Sequence, residues 1–444
     1  MALSDRERQI ADEIERRRDE LVHLTSDLIA FDTTARNPED PPRSEAALQK
    51  HLAGRLRDAG AEVDLWEPSA EEMAGKPLVP PGLGFEGRPQ LVARFEGGGG
   101  GKSLLFNGHI DAVSVEPIDQ WTSDPFTAEV RAGNLYGRGS CDMKGGIAAM
   151  TLAAEVVAGG GVELAGDLIV ATNTDEESSG AGSSAIVARG IEADAGIVTE
   201  ATGFDVWVAC RGSEYGAVTV PGRPGHAEVF QRDWREGGAV NAIEKAAVVI
   251  EAMQKLRTDW SGRPGLDHAY LSRPDLIPTM ASAGEWPVTY PASCALTCAV
   301  LYLPSQADER GFGSKVQREV EEWILRETAR DGWLAENPPQ FDWWPNGVMP
   351  MEIAGGDPIV ASMLEAGRDV GQPSKLFGLD SWYDGATFTH LAGIPSIAYG
   401  PRGFPTERGG PSIAHTVDEY VPVDDLVRCA QALAVCAMRF CGTV

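Results

Sequence analysis

Histidine and carboxylate side chains follow apolar segments of this chain, at positions where they could bind a metal ion. His109 and Asp111 come directly after the apolar residues 104–106. Side chains two positions apart in a strand point to the same side, so we expect both on one face. A metal-bound imidazole is commonly held by a carboxylate through its other nitrogen. The spacing favours a ligand and its partner, although a strand-end turn with a polar pair would leave the same pattern.

Three consecutive acids follow a second predicted strand, over residues 167–172. They are residues 175–177 and include Glu176 and Glu177. Ligand sites in open α/β sheets lie at such strand ends. Adjacent carboxylates repel one another unless a cation neutralises them. The pattern favours a cation site, and a solvated acidic loop is the alternative.

Further candidates precede a helix, end a strand or lie near the end of the chain. Asp142 is a single carboxylate between glycines, just before a predicted helix over 145–158. Glu200 ends a predicted strand over 195–198, and His415 lies in the segment AHTVDE. Helix capping explains Asp142 equally well at this point, because Asp is a good N-cap residue.

Alternating strand and helix patterns predict the elements that position these residues. Such alternation is typical of an α/β fold with a mostly parallel sheet flanked by helices. We assign residues 1–206 and 346–444 to this α/β domain, which carries all of the metal-ligand candidates above. The pattern changes near Trp207, and residues 207–345 are predicted to form an inserted α+β domain. Its predicted elements are strands 216–221, 279–283, 295–303 and 340–344 and helices 240–256 and 313–328.

Composition excludes several classes of protein. The chain has 444 residues, with Lys+Arg 38 against Asp+Glu 66 and a net charge of −28, which repels nucleic acid. Its longest apolar stretch, 147–171, is interrupted by acids, so we expect no membrane span, and we expect no secretion signal in the charged N-terminal residues. Seven cysteines without a CxxC pair favour reduced thiols, and we expect a cytoplasmic protein.

Five segments together resemble a known family. They are NGHID (107–111), LYGRGSCDMKGG (135–146), TDEESSG (174–180), VTEAT (198–202) and IAHTVDEYVPV (413–423). In this order and spacing, they are similar to the dinuclear-zinc amidohydrolase/peptidase family. That family includes acetylornithine deacetylase, succinyl-diaminopimelate desuccinylase, aminoacylases and carboxypeptidase G. The resemblance covers nearly the whole chain and implies a zinc-exopeptidase-like catalytic domain with an inserted lid or dimerisation domain.

The resemblance implies a role for each candidate in the five segments. The implied ligands are His109 and Glu200 for one ion, His415 and Glu177 for the other, and Asp142 as the bridge. Glu176 would be the general base for a hydroxide held by both ions, and Asp111 would orient His109. Zinc is the expected metal, and manganese or cobalt would accept the same nitrogen and oxygen ligands. Family members often have a cis peptide after the bridging carboxylate, here Asp142–Met143.

The inserted domain carries two further positions that the resemblance singles out. His226, in the segment GRPGHA (222–227), matches a histidine that stabilises the oxyanion in a partner subunit's active site. The resemblance therefore implies a homodimer. Asn241 matches an asparagine near the substrate.

The sequence also departs from the family pattern. No arginine occurs at 299–304, where many relatives have Asp-x-Arg, and 341–347 lacks the arginine that grips a substrate carboxylate. Aromatic residues occupy these regions, and two arginines before His415 are possible substitute cations. The candidate substrate contacts are therefore Asn241, Trp343, Trp344, Trp382, Tyr383, Arg402 and Arg408.

The predicted reaction is hydrolysis of an amide-type C–N bond in a small molecule, as in an N-acyl amino acid deacylase. A dipeptidase or carboxypeptidase is one alternative. The departures leave room for a specialised hydrolase of an aromatic or heteroaromatic amide, for a formamide, and for hydrolytic deamination. A non-catalytic metal-binding protein is the alternative from a different class, and retention of Glu176 argues against it.

Overall fold

The protein is described by a computed structural model over residues 2–35, 40–345 and 347–444. The chain divides into two compact units. The first comprises Met1–Ala209, Glu352–Gly378 and Tyr383–Val444, and the second comprises Cys210–Met351 and Leu379–Trp382. Residue 346, the predicted start of the last catalytic segment, lies outside the described residues.

A mixed sheet of nine strands, counted over the described residues, forms the centre of the first unit. Leu104–His109 pairs in parallel with Leu168–Asn173 on one side and Ala195–Val198 on the other. These strands are continuously buried apolar runs, as expected for parallel strands covered on both faces. The strands on the main path, in spatial order, are Glu62–Trp66, Gln90–Phe95, Leu168–Asn173, Leu104–His109, Ala195–Val198, Ser396–Ala398, Val206–Cys210 and Met351–Glu352, with Leu376–Leu379 also pairing with Val206–Cys210.

The prediction of a mostly parallel sheet is confirmed for the central strands. The edge differs, because Gln90–Phe95 pairs antiparallel with Leu168–Asn173 and also with Glu62–Trp66. The sequence pattern did not reveal this, since both orientations give similar apolar runs in short strands.

Helices cover this sheet. The most apolar is Gly145–Gly159, which is buried along almost its whole length and packs against Val423–Cys441. Ser4 caps the first helix in a reciprocal pair with Glu7, as its sequence predicts. The N-terminal helical segment consists of two helices, divided at Arg17. The helices of the first unit are Asp5–Arg16, Arg18–Ala30, Glu45–Asp58, Ala70–Met73, Gly145–Gly159, Ala181–Ala188, Pro358–Asp369, Gly385–Thr387 and Val423–Cys441.

A small separate sheet joins two segments that are distant in sequence. It consists of Glu129–Arg131, Asn134–Tyr136 and Tyr420–Pro422, all antiparallel. Tyr136 lies opposite Tyr420 in the register. This pairing brings the glycine-rich segment after 136 beside the segment that precedes 420.

The second unit is an antiparallel sheet with helices packed on it. Its strands, in spatial order, are Asp275–Ala283, Ser293–Tyr302, Gly212–Pro221 and Gln340–Trp343. Its helices are Ala242–Gly262, Ser314–Thr328 and Gly332–Glu336. The strand predicted at 216–221 begins earlier, at Gly212, and the helix predicted at 240–256 extends to Gly262.

Two further expectations can be compared with the described chain. Over its described residues, no helix is both long and apolar enough to span a bilayer. All seven cysteines are buried and free of disulfides.

Candidate metal centre

His109 is the last residue of the central strand Leu104–His109 and is 1% exposed. Its Nδ1 donates a hydrogen bond to the carbonyl oxygen of Asp111 over 2.9 Å. A carbonyl oxygen can only accept, so this contact places the proton of a neutral imidazole on Nδ1. Nε2 is then the nitrogen with a free lone pair, as a metal ligand requires.

The carboxylate of Asp111 lies beside His109 and also contacts the loop that carries the consecutive acids. It lies 3.6 Å from Nδ1 of His109 and accepts the backbone N–H groups of Glu176 (3.2 Å) and Glu177 (3.0 Å). One residue therefore orients the imidazole through its backbone and holds the acidic loop through its side chain.

Asp142 lies between the two histidines and is 4% exposed. Its Oδ1 is 3.3 Å from Nε2 of His109, and its Oδ2 is 3.1 Å from Nε2 of His415. The carboxylate therefore faces two imidazoles rather than capping the helix Gly145–Gly159, which has no side-chain cap. The peptide bond Asp142–Met143 is cis.

Three glutamates complete the cluster. Oε1 of Glu177 is 3.3 Å from Nε2 of His415. Oε1 of Glu200 and Oε2 of Glu176 lie 3.8 and 3.9 Å from Nε2 of His109. All three side chains are at most 10% exposed, so these acids do not form a solvated loop.

Burial and like charge raise the pKa values of these glutamates. Burial raises the pKa of Glu176 well above its ordinary value, and Glu200 adds to the rise against the opposing charge of His109. Burial and the neighbouring Asp142 raise the pKa of Glu200 in the same way. Burial alone would also raise the pKa of Asp142, but its contacts with both histidines outweigh burial and lower it. The cluster has more acids than imidazoles and favours a bound cation or proton.

The donor set fits a divalent metal. Imidazole nitrogen and carboxylate oxygen are common ligands of zinc. The ligand atoms of His109, Asp142 and Glu177 all lie within 4.8 Å of one another. Oε1 of Glu177 is buried and accepts no well-aligned hydrogen bond, although it lies 3.3 Å from His415. An unsatisfied buried carboxylate oxygen directed into such a cluster suits a cation.

Some buried polar residues beside the cluster were assigned no role in the sequence analysis. Arg138 and Glu419 form a buried ion pair, and both lie within the quoted segments. Asp384 is fully buried and accepts a hydrogen bond from Nδ2 of Asn173 over 2.6 Å. Burial raises the pKa of Asp384 to about 6.

The remaining predicted residues of the inserted segment belong to the second unit. His226 is exposed, and Asn241 caps the helix Ala242–Gly262 by accepting the N–H of Ile243 over 3.0 Å. Nε1 of Trp343 donates to Glu321 over 2.6 Å. Trp344 is 36% exposed. Trp382 also belongs to this unit.

Three predicted substrate contacts lie in the first unit. Tyr383 is fully buried, and its hydroxyl donates to the carbonyl oxygen of Trp207 over 3.4 Å. Arg402 forms a bidentate ion pair with Asp425, in which Nε lies 2.6 Å from Oδ2 and Nη2 lies 2.9 Å from Oδ1. Arg408 is exposed. These contacts make Tyr383 an interior residue and Arg402 a paired cation, and their contact with substrate stays a prediction.

Comparison with known proteins identifies the family. Residues 105–439 of this chain match the family described as "Peptidase family M20/M25/M40". The chain is 26% identical to N-formyl-4-amino-5-aminomethyl-2-methylpyrimidine deformylase of Bacillus subtilis (strain 168), over 97% of this chain and 96% of the relative. It is 41% identical to succinyl-diaminopimelate desuccinylase of Herminiimonas arsenicoxydans, over 28% of this chain and 36% of the relative.

Solved structures agree on the fold. A dinuclear metal-binding peptidase of the M20 family from Bacillus subtilis has a TM-score of 0.65 at 15% identity, covering 97% of this chain and 100% of that one. The predicted fold class and family resemblance are therefore confirmed. This chain belongs to the peptidase family M20/M25/M40 and is a metal-dependent amidohydrolase.

Proposed function

We propose that this chain holds two divalent metal ions between His109 and His415 and uses them to remove a short N-acyl group from a small amine. Asp142 carries the proposal. One of its oxygens is 3.3 Å from Nε2 of His109, and the other is 3.1 Å from Nε2 of His415. A carboxylate whose two oxygens face different imidazoles is suited to bridge two ions.

The distances divide the other ligands between the two ions. Glu200 lies near His109, and Glu177 lies near His415. Each ion would receive one imidazole, one glutamate and one oxygen of the bridging Asp142 carboxylate, which leaves room for water and substrate. We propose zinc as the metal, with manganese and cobalt as alternatives that the same ligands accept.

When bound, two such ions polarise a carbonyl group and lower the pKa of a water molecule. Glu176 is the proposed base, as the family resemblance implies, and its Oε2 lies in the cluster at 3.9 Å from Nε2 of His109. It would accept a proton from the attacking water and deliver it to the leaving nitrogen. The acyl carbon gains the hydroxyl, the C–N bond breaks, and the amine leaves with the proton.

Asp111 is the proposed positioning residue for both halves of this chemistry. Its carbonyl oxygen fixes the ring of His109, and its carboxylate holds the N–H of Glu176. The base and the ligand would therefore keep a constant separation during turnover.

The full-length similarity to a deformylase supports a formyl or other short acyl group on a small, heteroaromatic amine. The absence of an arginine at 299–304 and of another at 341–347 supports a substrate without a free α-carboxylate. An N-acyl amino acid is the alternative that the experiment below tests.

The remaining expectations stay part of the proposal. We propose that the two compact units are a catalytic domain and a lid domain, and that the protein is a homodimer. In that dimer, His226 would stabilise the oxyanion in the active site of the second subunit, and Asn241 would lie near the substrate. Seven free cysteines support a cytoplasmic location.

The test is a hydrolysis assay with protein reconstituted with zinc, manganese or cobalt. The panel holds an N-formyl aminopyrimidine, N-acetyl amino acids, an N-succinyl diamino acid and dipeptides. We expect chelator-sensitive release of formate or another short acid from the heteroaromatic amide. Chelated protein and Glu176→Gln are the controls.

Two results would contradict parts of this proposal. Chelator-sensitive turnover confined to acyl amino acids or dipeptides would contradict the substrate class and leave the metal chemistry intact. Turnover that persists in Glu176→Gln would contradict the assignment of the base.

A further inference from the structure

Arg138 and Glu419 form an ion pair that is almost fully buried. Nη1 of Arg138 lies 2.5 Å from Oε2 of Glu419, and neither side chain is more than 2% exposed. The residues are 281 positions apart in the sequence. A buried ion pair needs further hydrogen bonds to offset the loss of water from both charges.

The small three-stranded sheet brings the pair together. Asn134–Tyr136 and Tyr420–Pro422 are antiparallel neighbours, and the pair lies just outside them. The N–H of Gly137 donates to the carbonyl oxygen of Glu419 over 3.0 Å, which continues the backbone pairing. The position of the pair is therefore set by the backbone and not only by the two charges.

The second oxygen of Glu419 holds the peptide segment that carries Asp142. Oε1 accepts the N–H of Cys141 over 3.1 Å and the N–H of Asp142 over 3.3 Å. Hydrogen bonds to an ionised carboxylate are stronger than bonds between neutral groups. Glu419 thus fixes the backbone from which the carboxylate of Asp142 reaches both histidines.

Arg138 contacts a different ligand-bearing segment. Its Nη2 donates to the carbonyl oxygen of Ser114 over 3.0 Å, three residues beyond Asp111. The ring of Trp121 covers the guanidinium at 5.0 Å. Glu419 itself follows His415 by four residues. The pair therefore touches or continues the segments that carry His109, Asp142 and His415.

We propose that Arg138 and Glu419 are positioning residues for the metal centre, which hold three ligand-bearing segments at the separation that two ions require. The inference rests on the proposed function, because it takes His109, Asp142 and His415 as ligands. It extends that function by adding two residues that do not bind an ion themselves but determine how tightly the metal centre binds it. Residues that orient metal ligands typically contribute 10- to 100-fold in affinity, as an order of magnitude.

The test compares metal affinity in wild-type protein and in the variant Glu419→Gln. Glutamine keeps the length of the side chain. It removes the negative charge of the carboxylate, which accepts hydrogen bonds from Arg138 and from two backbone N–H groups. Metal-free protein is titrated with Zn²⁺ in competition with a chromophoric chelator, and with Co²⁺ while its visible absorption is recorded. We expect affinity for both ions to fall by roughly 10- to 100-fold and the Co²⁺ spectrum to change.

The control variant is Glu155→Gln, which breaks another buried ion pair of the first unit. Glu155 lies 2.5 Å from Nε of Arg55, and its side chain is 7% exposed. It lies ten residues into the helix Gly145–Gly159, about 15 Å along the axis from the helix start. We expect this variant to lose stability but to bind both ions with wild-type affinity and an unchanged Co²⁺ spectrum.

The results separate this inference from the proposed function. Wild-type protein that binds no divalent ion would overturn both. Wild-type protein that binds two ions, together with a folded Glu419→Gln variant of equal affinity and spectrum, would overturn the positioning role alone. If Glu419→Gln does not fold, Arg138→Lys takes its place. Lysine keeps the positive charge but lacks the guanidinium group, whose two terminal nitrogens reach Glu419 and Ser114. Wild-type affinity in Arg138→Lys would also overturn the inference.

Discussion

The two histidines beside Asp142 lie in contrasting surroundings. His109 ends a central strand, is 1% exposed and donates from Nδ1 to the carbonyl oxygen of Asp111. His415 lies outside helices and strands, its side chain is 45% exposed, and its φ is 64°. Its ring contacts Phe404 edge-on, with 6.0 Å between the ring centres.

This difference shows that the two halves of the candidate centre are held by different means. The sheet and a backbone hydrogen bond fix His109 without help from any ligand. His415 takes a left-handed backbone conformation, which costs a non-glycine residue free energy. Contacts with Asp142 and Glu177, and the anchoring of the segment at Glu419, hold it there. We infer one rigid half and one half that depends on its anchors.

The substitution Asp142→Asn should break both halves at once. Asp142 is the contact that His109 and His415 share, so its loss weakens both sites. We expect metal content to fall from two ions to none. We also expect activity to drop by more than the roughly 10- to 100-fold typical of residues that only orient ligands. Elemental analysis after gel filtration, with parallel rate measurements, checks this. Retention of two ions would contradict the bridge.

The substitution Glu176→Gln should abolish proton transfer while leaving both halves intact. We expect kcat to fall by about 10²- to 10⁴-fold, the usual contribution of a general acid–base residue. Metal content should stay at the wild-type level, since glutamine keeps the size of the side chain. Steady-state kinetics beside elemental analysis measure both. A variant that loses its metal would show instead that Glu176 is a ligand.

Alanine at each histidine should separate the rigid half from the dependent one. In metal-free protein, we expect His109→Ala to lower the free energy of unfolding by about 1–3 kcal/mol, because it leaves buried acids without their partner. His415→Ala should cost about 1 kcal/mol or less, because the imidazole is 45% exposed and solvent screens its contacts with Asp142 and Glu177. Urea unfolding in the presence of a chelator measures both. Equal costs would refute the contrast drawn between the two histidines.

The stability of metal-free protein should decrease as the pH rises. Burial lowers the pKa of His415, but its close contacts with the carboxylates of Asp142 and Glu177 outweigh burial and raise it from 6.5 to about 10. A group whose pKa is raised by folding stabilises the fold below its unfolded value, and this contribution is lost as the pH passes its folded value. We expect the thermal midpoint of chelated protein to fall between pH 6.5 and about 10, and to fall less in His415→Gln. A flat profile in wild-type protein would count against this.

The parts of the fold that the sequence predicts are those with long, strongly patterned elements. The central strands are buried at every residue and begin with apolar residues, and the candidate acids follow them or precede a buried helix. The three-stranded sheet was missed because its strands have only three residues each, too few for a periodic signal. The antiparallel edge of the large sheet was missed because strand direction depends on tertiary pairing.

Prediction of the candidate site from the sequence is limited in the same way. The spacing of His109 and Asp111 predicts that they act together, but not that the carbonyl oxygen of Asp111 is the acceptor. The ion pair of Arg138 and Glu419 joins residues 281 positions apart, and a single sequence carries no signal for it. The backbone conformation of His415 is likewise imposed by its anchors.

A crystal structure of zinc-loaded protein, with anomalous data collected on both sides of the zinc edge, tests the central claim most directly. The account predicts two anomalous peaks about 3.5–4 Å apart, each beside a different oxygen of Asp142. One peak should lie near His109 and the other near His415. A single peak, or two peaks of which neither contacts Asp142, would contradict the account.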